Sequence, residues 1–428
     1  MRERDIKLRM IREQHTLIVG VDVAKRKHHA RLMDSRTGWE CGHPFTFQNN
    51  ITGFSRLLGR ISRTKEEIGA TNIIVAVEPS GHYWKPLAWY LSGVGITVVL
   101  VNPYHVKRSK ELDDNTPTKN DRKDARVIAS LAAEGRFFRC YLPRGVWAEL
   151  RSLGQARRRQ RARLSAARVA LVALLDEYFP EFLEVFKNPL GKGALYILQR
   201  YPWPVDLRVL PVERVAHELK QATSGRVGQK RAVQLLAVAR DSVGVTEGLD
   251  AARLRLGQVL AEIRFWQGQL AQTGEAMARL LGATGVGEYL LSIPGVGVVT
   301  AAVFLGEVGD IGRYTDWRQL RRLAGYNLTE NSSGQRKGRT RISKRGRPGL
   351  RSILYQAAVV LVARNKEFGA VYRYLRTRRE NPLTGPQALV AVACKLLRVI
   401  FVLVKKREMY DPQKVLGNYR KQQIEAAA

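Results

Sequence analysis

The first third of the chain alternates apolar segments with helical ones, and this order constrains the fold more than any other feature. Three segments are almost entirely apolar over strand length, which is typical of strands buried on both faces. Three strands, then helix, strand, helix, strand and helix, is the order expected of an RNase H-like α/β fold with a mixed sheet. The predicted elements are strands at 17–24, 29–33, 44–48, 72–77 and 96–102, and helices at 51–68, 82–91 and 121–133.

The charge of the chain indicates a polyanionic partner. Lysine and arginine number 72 against 38 aspartate and glutamate, which gives a formal net charge of +34. Such an excess repels itself in a compact fold, so nucleic acid is the expected partner. A membrane is not expected, because no uninterrupted apolar run reaches the ~20 residues of a spanning helix. The first residues also lack the apolar segment of a signal peptide, so the expected location is the cytoplasm.

Cysteine and histidine are distributed in a way that argues against a zinc site. Cys41, Cys140 and Cys394 lie far apart and in no CxxC or Cys/His arrangement. They suit a reducing cytosol. Any metal is therefore expected to be held by oxygen ligands.

The rest of the chain is predicted to be mainly helical. Residues 144–168 carry eight arginines and one acid, with apolar residues at roughly helical intervals, which predicts a long basic helix. A heptad-like apolar seam between 251 and 281 predicts a coiled coil, and an ordinary helical bundle fits the same pattern. The predicted domains are an α/β domain at 15–145, a helical module at 146–284, a mainly helical domain at 285–410 and a polar tail at 411–428.

Four carboxylates are predicted to converge in the α/β domain. Asp22 lies inside an apolar strand, where an uncompensated carboxylate costs several kcal/mol. Glu78 ends the next apolar strand, and Asp121 and Asp124 share one face at the start of a helix. Taken singly, Asp121 fits a helix N-cap and Asp124 a first-turn acid that favours the helix dipole. Together the four acids predict a site for Mg²⁺ or Mn²⁺, which suits phosphodiester chemistry.

A glycine-rich basic loop follows in the last third. Eight cations and no acid lie between Arg336 and Arg351, which predicts contacts with a phosphate backbone. Ser332 and Ser333 precede this run, and a hydroxyl there fits either a turn or a nucleophile that a base or metal activates. The segment 294–297, Pro-Gly-Val-Gly before an apolar helix, is similar to a helix-hairpin-helix turn.

These motifs resemble the IS110 insertion-sequence transposases and the Piv-type invertases. The first set is Gly20 to Lys25, Val77-Glu78, and Lys119 to Ala125, and it is similar to the DEDD domain of that family. The second set is similar to the family's C-terminal domain and comprises Ile293 to Gly297, Leu323-Ala324-Gly325, Ser332-Ser333-Gly334, Ile342 to Gly346 and Leu350-Arg351. The resemblance covers about 15–145 and 286–365.

The resemblance implies a mechanism as well as a fold. It implies a RuvC-like DEDD domain whose Asp22, Glu78, Asp121 and Asp124 bind Mg²⁺, and Ser333 as the nucleophile that links covalently to DNA, with Ser332 as the alternative. It implies a prokaryotic, nucleoid-associated homo-oligomer that acts on donor and target DNA under the guidance of a structured non-coding bridge RNA. The candidate nucleic-acid contacts are Arg157, Arg158, Arg159, Arg161, Arg163, Arg336, Lys337, Arg339, Arg341, Lys344, Arg345 and Arg351.

Two other functions fit parts of this pattern. A RuvC-like structure-selective nuclease would use the same carboxylates with water as nucleophile and form no covalent intermediate. A non-catalytic RNA-binding protein would use only the basic helices. Metal-dependent cleavage separates the second of these from the enzymes, and a protein–DNA adduct separates the recombinase from the nuclease.

Overall fold

A computed structural model describes residues 3–114, 121–330, 338 and 340–425 of the chain. The chain divides into two compact units, residues 1–142 and 143–428. The first is a mixed α/β unit and the second is mainly helical, which confirms the predicted class of each part.

The first unit is built on a six-stranded sheet with the order β3-β2-β1-β4-β5-β6. The strand β1 pairs antiparallel with β2 and parallel with β4, and β4 pairs parallel with β5. The elements are α1 (Glu3–Glu13), β1 (Thr16–Asp22), β2 (Lys27–Asp34), β3 (Phe45–Gln48), α2 (Ile51–Ile68), β4 (Asn72–Val77), α3 (Trp84–Gly93), β5 (Thr97–Val101), α4 (Pro103–Asp114), α5 (Asp121–Ala133) and β6 (Phe137–Arg139).

Alternation along the central strands divides the core of this unit into two layers. Leu17, Val19 and Val21 of β1 pack in one apolar cluster with buried residues of α2 and α3. Ile18 packs in the other cluster, which contains Ile128 and its neighbours on α5. Both faces of β1 are therefore covered, which explains why its sequence is apolar throughout rather than alternating.

Three elements of this unit were not predicted, namely α1, α4 and β6. The helix α1 is strongly polar, and Ile11 is its fully buried apolar residue. Polar contacts help to anchor α1, since Arg4 Nε donates to Glu134 O and Lys7 Nζ to Phe137 O, at 3.0 and 2.8 Å. A helix with a single buried apolar residue has no repeated apolar spacing in its sequence, which is why α1 was not predicted.

The second unit begins with a long helix that pairs with another long helix. The first is α6 (Val146–Tyr178) and the second, α12, spans Leu249–Gly282. They run antiparallel, because Arg157 contacts Leu270 near one end of the pair and Glu177 contacts Arg255 near the other. Between them in sequence lie α7 (Phe182–Val185), α8 (Lys192–Arg200), α9 (Pro204–Arg208), α10 (Val212–Ala222) and α11 (Gln229–Arg240).

The heptad-like seam of α12 is buried within the chain. Leu256, Leu260 and Ile263 share an apolar core with residues of α6, such as Leu171, and of the helices between the pair, such as Leu207. The seam therefore has its apolar partners in the same chain and does not by itself require a second one. The assembly of the chain into oligomers stays a prediction.

The remaining elements form the C-terminal part of the second unit. Its core gathers residues such as Phe304, Leu354 and Leu396 from three different helices. The helix at Gly385–Lys406 is long and apolar enough to cross a membrane by composition, yet 44% of its most apolar window is buried in this core. The elements are α13 (Gly287–Leu291), α14 (Val298–Val308), a 3₁₀ turn (Ile311–Arg313), α15 (Trp317–Ala324), β7 (Leu328–Thr329), β8 (Arg341–Ile342), α16 (Pro348–Arg364), α17 (Lys366–Thr377), α18 (Gly385–Lys406) and α19 (Pro412–Glu425).

Candidate functional site

Asp22 and Glu78 lie side by side at the carboxyl edge of the sheet. Val21 of β1 is in register with Val77 of the parallel strand β4, and the two acids are the next residue on each chain segment. Val21 and Val77 both point into the cluster under α2 and α3, so alternation directs the acids toward the opposite face, where α5 lies. Glu78 is half-buried, and its Oε1 accepts a hydrogen bond from Ser80 Oγ at 2.7 Å.

A glycine brings the helix α5 against β1. A Cβ added at Gly20 would lie 2.2 Å from the backbone oxygen of Ala125 and 2.5 Å from the backbone nitrogen of Ala129. Only a residue without a side chain permits this approach of helix to strand. Since Asp22 is two residues beyond Gly20 and Asp124 directly precedes Ala125, the same approach places these two carboxylates at one end of the β1–α5 contact.

Asp124 is a buried carboxylate that is only partly compensated. Its residue is 7% exposed, and its Oδ2 forms an ion pair with Lys110 Nζ of α4. Its other oxygen, Oδ1, is buried and has no hydrogen-bond partner among the residues that the structure describes. A buried carboxylate oxygen without a partner costs free energy that a cation or a donor at that point would remove. Lys110 was not identified from the sequence, because nothing in its sequence neighbourhood distinguishes it from the other lysines of the chain.

Two properties of the described residues suit a divalent cation: their side chains are carboxylates, and Oδ1 of Asp124 has no hydrogen-bond partner among the described residues. Asp121 begins α5 one turn before Asp124, and its side chain lies outside the described part of the chain. Among the side chains that are described, no three of His, Cys, Asp or Glu form a closed metal cluster. Hard carboxylate oxygens from Asp22, Glu78 and Asp124 are nevertheless the donor set that Mg²⁺ or Mn²⁺ prefers.

Exposed cations lie where the chain passes from β1 to β2. Lys25 and Arg26 are in the connection, Lys27 begins β2, and all three are exposed. The next residue, His28, is fully buried, and its Nδ1 accepts a hydrogen bond from the backbone N–H of Ala24 at 3.1 Å. Burial lowers the pKa of His28, which keeps the ring neutral and able to accept this bond. These cations are thus held at the rim beside the carboxylates.

The base of the basic loop is tightly packed in the second unit. The strands β7 and β8 pair antiparallel, with Leu328 opposite Ile342, so the two ends of the loop meet. A Cβ added at Gly346 would lie 2.5 Å from both Gly325 N and Leu323 O, which shows direct contact between the two backbones. Ser332, Ser333, Arg336, Lys337 and Arg339 lie outside the described residues.

Arginines connect this base to the neighbouring helices. Arg351 Nη1 donates to the backbone oxygens of Ala324 and Lys344, at 3.1 Å each. Arg347 donates to Glu307 O of α14, and burial lowers the pKa of this guanidinium to about 10. Because these arginines satisfy backbone carbonyls, they act as structural cross-links. Arg341, Lys344 and Arg345 are exposed.

The five predicted arginines of α6 divide into one inward and four outward residues. Arg157 is half-buried, and its Nη1 donates to Leu270 O of α12 at 2.8 Å. Arg158 lies 4.0 Å from Glu307, and Arg161 Nη1 donates to Gln356 Oε1 of α16 at 3.0 Å. Arg159 and Arg163 are exposed and form no ion pair with a described residue. Arg158 and Arg161 therefore lie beside α14 and α16.

Two family models match the chain on either side of its helical middle. The DEDD transposase model of IS110 elements matches residues 19–180, and a model described as transposase of the IS116/IS110/IS902 family matches residues 287–373. The first range includes all four predicted carboxylates. The second includes Ser333 and the basic loop.

Similar proteins come from several bacteria. A protein of insertion element IS116 from Streptomyces clavuligerus is 26% identical over 92% of this chain and 96% of its own length. The transposase for IS1111A of Coxiella burnetii is 27% identical over 75% and 76%, and the pilin gene-inverting protein of Moraxella lacunata is 22% identical over 92% and 97%. With both family models matched in order and relatives similar along most of its length, the chain belongs to the IS110 family of insertion-sequence transposases.

Proposed function

We propose that this chain is a divalent-metal-dependent recombinase that cuts and rejoins DNA at the ends of an insertion sequence. Its family is one of DNA-recombining enzymes. Two observations support the metal-dependent chemistry: Asp22 and Glu78 follow the paired residues Val21 and Val77 of adjacent strands, and the buried Oδ1 of Asp124 has no hydrogen-bond partner among the described residues. The sheet order, with three antiparallel strands followed by two parallel ones, supports a RuvC-like assignment of the first unit.

Asp22, Glu78, Asp121 and Asp124 would hold Mg²⁺ or Mn²⁺. When bound, the ion supplies Lewis-acid stabilisation of charge on the phosphate oxygens. Asp22 and Glu78 offer their oxygens from rigid strand ends, and Asp124 offers Oδ1 from the first turn of α5. The exposed cations of 25–27 would orient the phosphate backbone beside them, since Lys and Arg bind phosphate without reading sequence.

Ser333 is proposed as the nucleophile. Its Oγ would form a bond to phosphorus while the bond from phosphorus to a deoxyribose oxygen breaks, and the serine proton would pass to solvent as the leaving oxygen takes one up. The serine–glycine motif in the matched C-terminal range supports this assignment, together with the exposed cations Arg341, Lys344 and Arg345 later in the same range. Ser332 is the alternative one residue away.

A structured bridge RNA and a homo-oligomer complete the proposal. The resemblance to bridge-RNA-guided recombinases supports both, and the exposed arginines Arg158, Arg159, Arg161 and Arg163 give a surface for RNA or DNA phosphates. The turn between α13 and α14, with Gly295 at φ +100°, is proposed as a helix-hairpin-helix-like phosphate contact. Recombination holds several DNA strands at once, which favours more than one chain.

The carboxylates are tested by conservative substitutions. We expect Asp22→Asn and Glu78→Gln to abolish Mg²⁺-dependent strand cleavage while DNA affinity stays within about twofold, because affinity rests on Lys and Arg contacts with phosphates. Cleavage with Mg²⁺ and with EDTA, and affinity by fluorescence anisotropy, are the measurements. Full cleavage by either variant would refute the site, and the absence of any Mg²⁺-dependent cleavage by the unmodified protein would favour the RNA-binding alternative.

The nucleophile is tested by trapping. Ser333→Ala is expected to form no SDS-stable protein–DNA species, because alanine has no oxygen to form the phosphoester. Ser332→Ala is the matched control and should form the adduct normally. If the adduct survives in Ser333→Ala and is lost in Ser332→Ala, the nucleophile is Ser332. Cleavage without any adduct in the unmodified protein would instead favour the water-using nuclease.

A further inference from the structure

The middle of the second unit carries a cationic surface that neither family match includes. Between residues 219 and 240 there are five cations and no acid. No described residue forms an ion pair with any of the five, and the range lies between the matches at 19–180 and 287–373. The five cations are Lys220, Arg226, Lys230, Arg231 and Arg240.

Four of these cations lie on α10 and α11, which pack together, and Arg226 lies in the turn between these helices. Val215 and Leu219 of α10 and Leu235 of α11 are fully buried in one apolar core. The six-residue turn between the helices is fixed by Thr223, whose Oγ1 donates to Leu219 O at 2.7 Å and accepts from Val227 N at 2.9 Å. Because one face of α11 is buried and the turn before it is held by hydrogen bonds, the orientation of the exposed face of α11 relative to α10 is fixed.

The exposed face of α11 has a distinctive composition. Lys230, Gln234 and Arg240 are exposed, together with the small residues Val233 and Ala237 between them. Spacings of three, four and seven residues place these side chains along one side of the helix. Lys230 and Arg240 are ten residues apart, which is about 15 Å along the axis, so these cations lie near the two ends of α11 and the amide and small side chains lie between them.

The nearest acid on α10 does not cancel this charge. Glu218 is largely buried, and its carboxylate accepts from Tyr196 Oη, Tyr201 Oη and Arg214 Nε, at 3.3, 3.2 and 3.2 Å. This carboxylate is therefore compensated locally. The exposed cations next to it keep an uncompensated positive field.

We propose that this surface, the exposed side chains of 226–240 (here called the α11 surface), binds double-stranded DNA with α11 in the major groove. The major groove of B-form DNA is about 12 Å wide and admits an α-helix, so Lys230 and Arg240 near the two ends of α11 would contact the phosphates that line it. Gln234, whose Oε1 accepts from Arg231 Nη1 at 3.2 Å, would offer its amide to adenine, and the methyl groups of Val233 and Ala237 would contact the thymine methyl. The deep, narrow major groove of duplex RNA does not admit a helix, which is why DNA is the partner.

The test compares two double variants of the full chain that lose the same charge. Lys230→Gln with Arg231→Gln changes the α11 surface, and Lys187→Gln with Lys192→Gln changes exposed lysines elsewhere in the same helical region. Affinity for a mixed-sequence duplex of about 30 base pairs is measured by anisotropy over a range of KCl, with a hairpin RNA in parallel. We expect about tenfold weaker duplex binding and a salt slope reduced by about 2 for the α11 pair only. An equal loss in the control pair, no loss, or a loss confined to the RNA overturns the proposal.

The groove placement is tested separately with Gln234→Ala. Selection from randomised duplexes should show relaxed base preference at one or two positions, while the salt slope stays unchanged. Unchanged base preference overturns the placement of α11 in the major groove. The proposal rests on the chain acting on DNA and not on the carboxylate chemistry. At saturating DNA, the α11 variants should therefore keep Mg²⁺-dependent cleavage that Asp22→Asn loses, so the two hypotheses fail independently.

Discussion

The carboxylate edge of the first unit and the exposed face of α6 in the second differ in how their functional side chains are held. At the edge, acids come from strand ends and a helix that touches β1 backbone to backbone at Gly20. On α6, Arg159 and Arg163 are exposed and attached only to the regular backbone of their helix. The backbone contacts at the edge hold the carboxylates in defined positions, which catalysis requires. The helix α6 only exposes positive charge, which is sufficient for binding phosphates. A single substitution should therefore disable the first region and only weaken the second.

The largest effect is expected from Gly20→Ala. The added Cβ would meet the backbone of α5 at 2.2 and 2.5 Å, and backbone atoms cannot rotate away as a side chain can. We expect the free energy of unfolding to fall by about 3 kcal/mol and cleavage to be lost, because α5 carries Asp121 and Asp124.

Gly59→Ala provides the control within the same unit. Gly59 lies inside α2 with open space where its Cβ would be, so alanine should stabilise the helix by about 0.5–1 kcal/mol. Thermal and urea unfolding measure both variants. An equal, small effect in the two would show that the contact between β1 and α5 is not what positions the acids.

The same contrast shows which parts of the molecule the sequence could predict. The strands β1, β4 and β5 were predicted because burial on both faces makes their segments apolar, and the acids at the ends of β1 and β4 follow from alternation. Lys110 was not predictable, since its ion pair with Asp124 depends on how α4 packs on α5. The seam of α12 predicted an apolar face that is buried, but periodicity does not say whether the residues that cover it belong to the same chain. Residues 182–250 carry no recognisable motif, and their five helices and cationic surface emerge only from the fold.

An intermediate effect is expected at Lys110, which sharpens the comparison by testing a charge inside the carboxylate edge. Lys110→Met leaves the buried Asp124 carboxylate without its ion pair, so unfolding free energy without divalent ions should fall by about 1–2 kcal/mol. Mg²⁺ should restore more stability in this variant than in the unmodified protein, because a cation that competes for the same carboxylate has been removed.

The control for Lys110 lies one turn earlier on the same helix. Lys107 is exposed and forms no ion pair with a described residue, so Lys107→Met should leave both the stability and its response to Mg²⁺ unchanged. The measurement is the shift in Tm between EDTA and Mg²⁺. Equal shifts for the two variants and the unmodified protein would mean that Lys110 does not occupy the cation's position.

The smallest effect is expected on α6, where two arginines two residues apart should respond in opposite ways to the same substitution. Arg157 donates to Leu270 O within the helix pair, and burial lowers its pKa, so Arg157→Gln should cost about 1 kcal/mol of stability and leave DNA affinity nearly unchanged. Arg159 is exposed, so Arg159→Gln should leave Tm unchanged, weaken DNA binding a few-fold and reduce the salt slope by about 1. Thermal unfolding and anisotropy over a range of KCl give the two readouts for both variants. If both substitutions weaken DNA binding equally, the half-buried guanidinium of Arg157 also contacts the nucleic acid. The division of α6 into a structural face and a binding face would then be wrong.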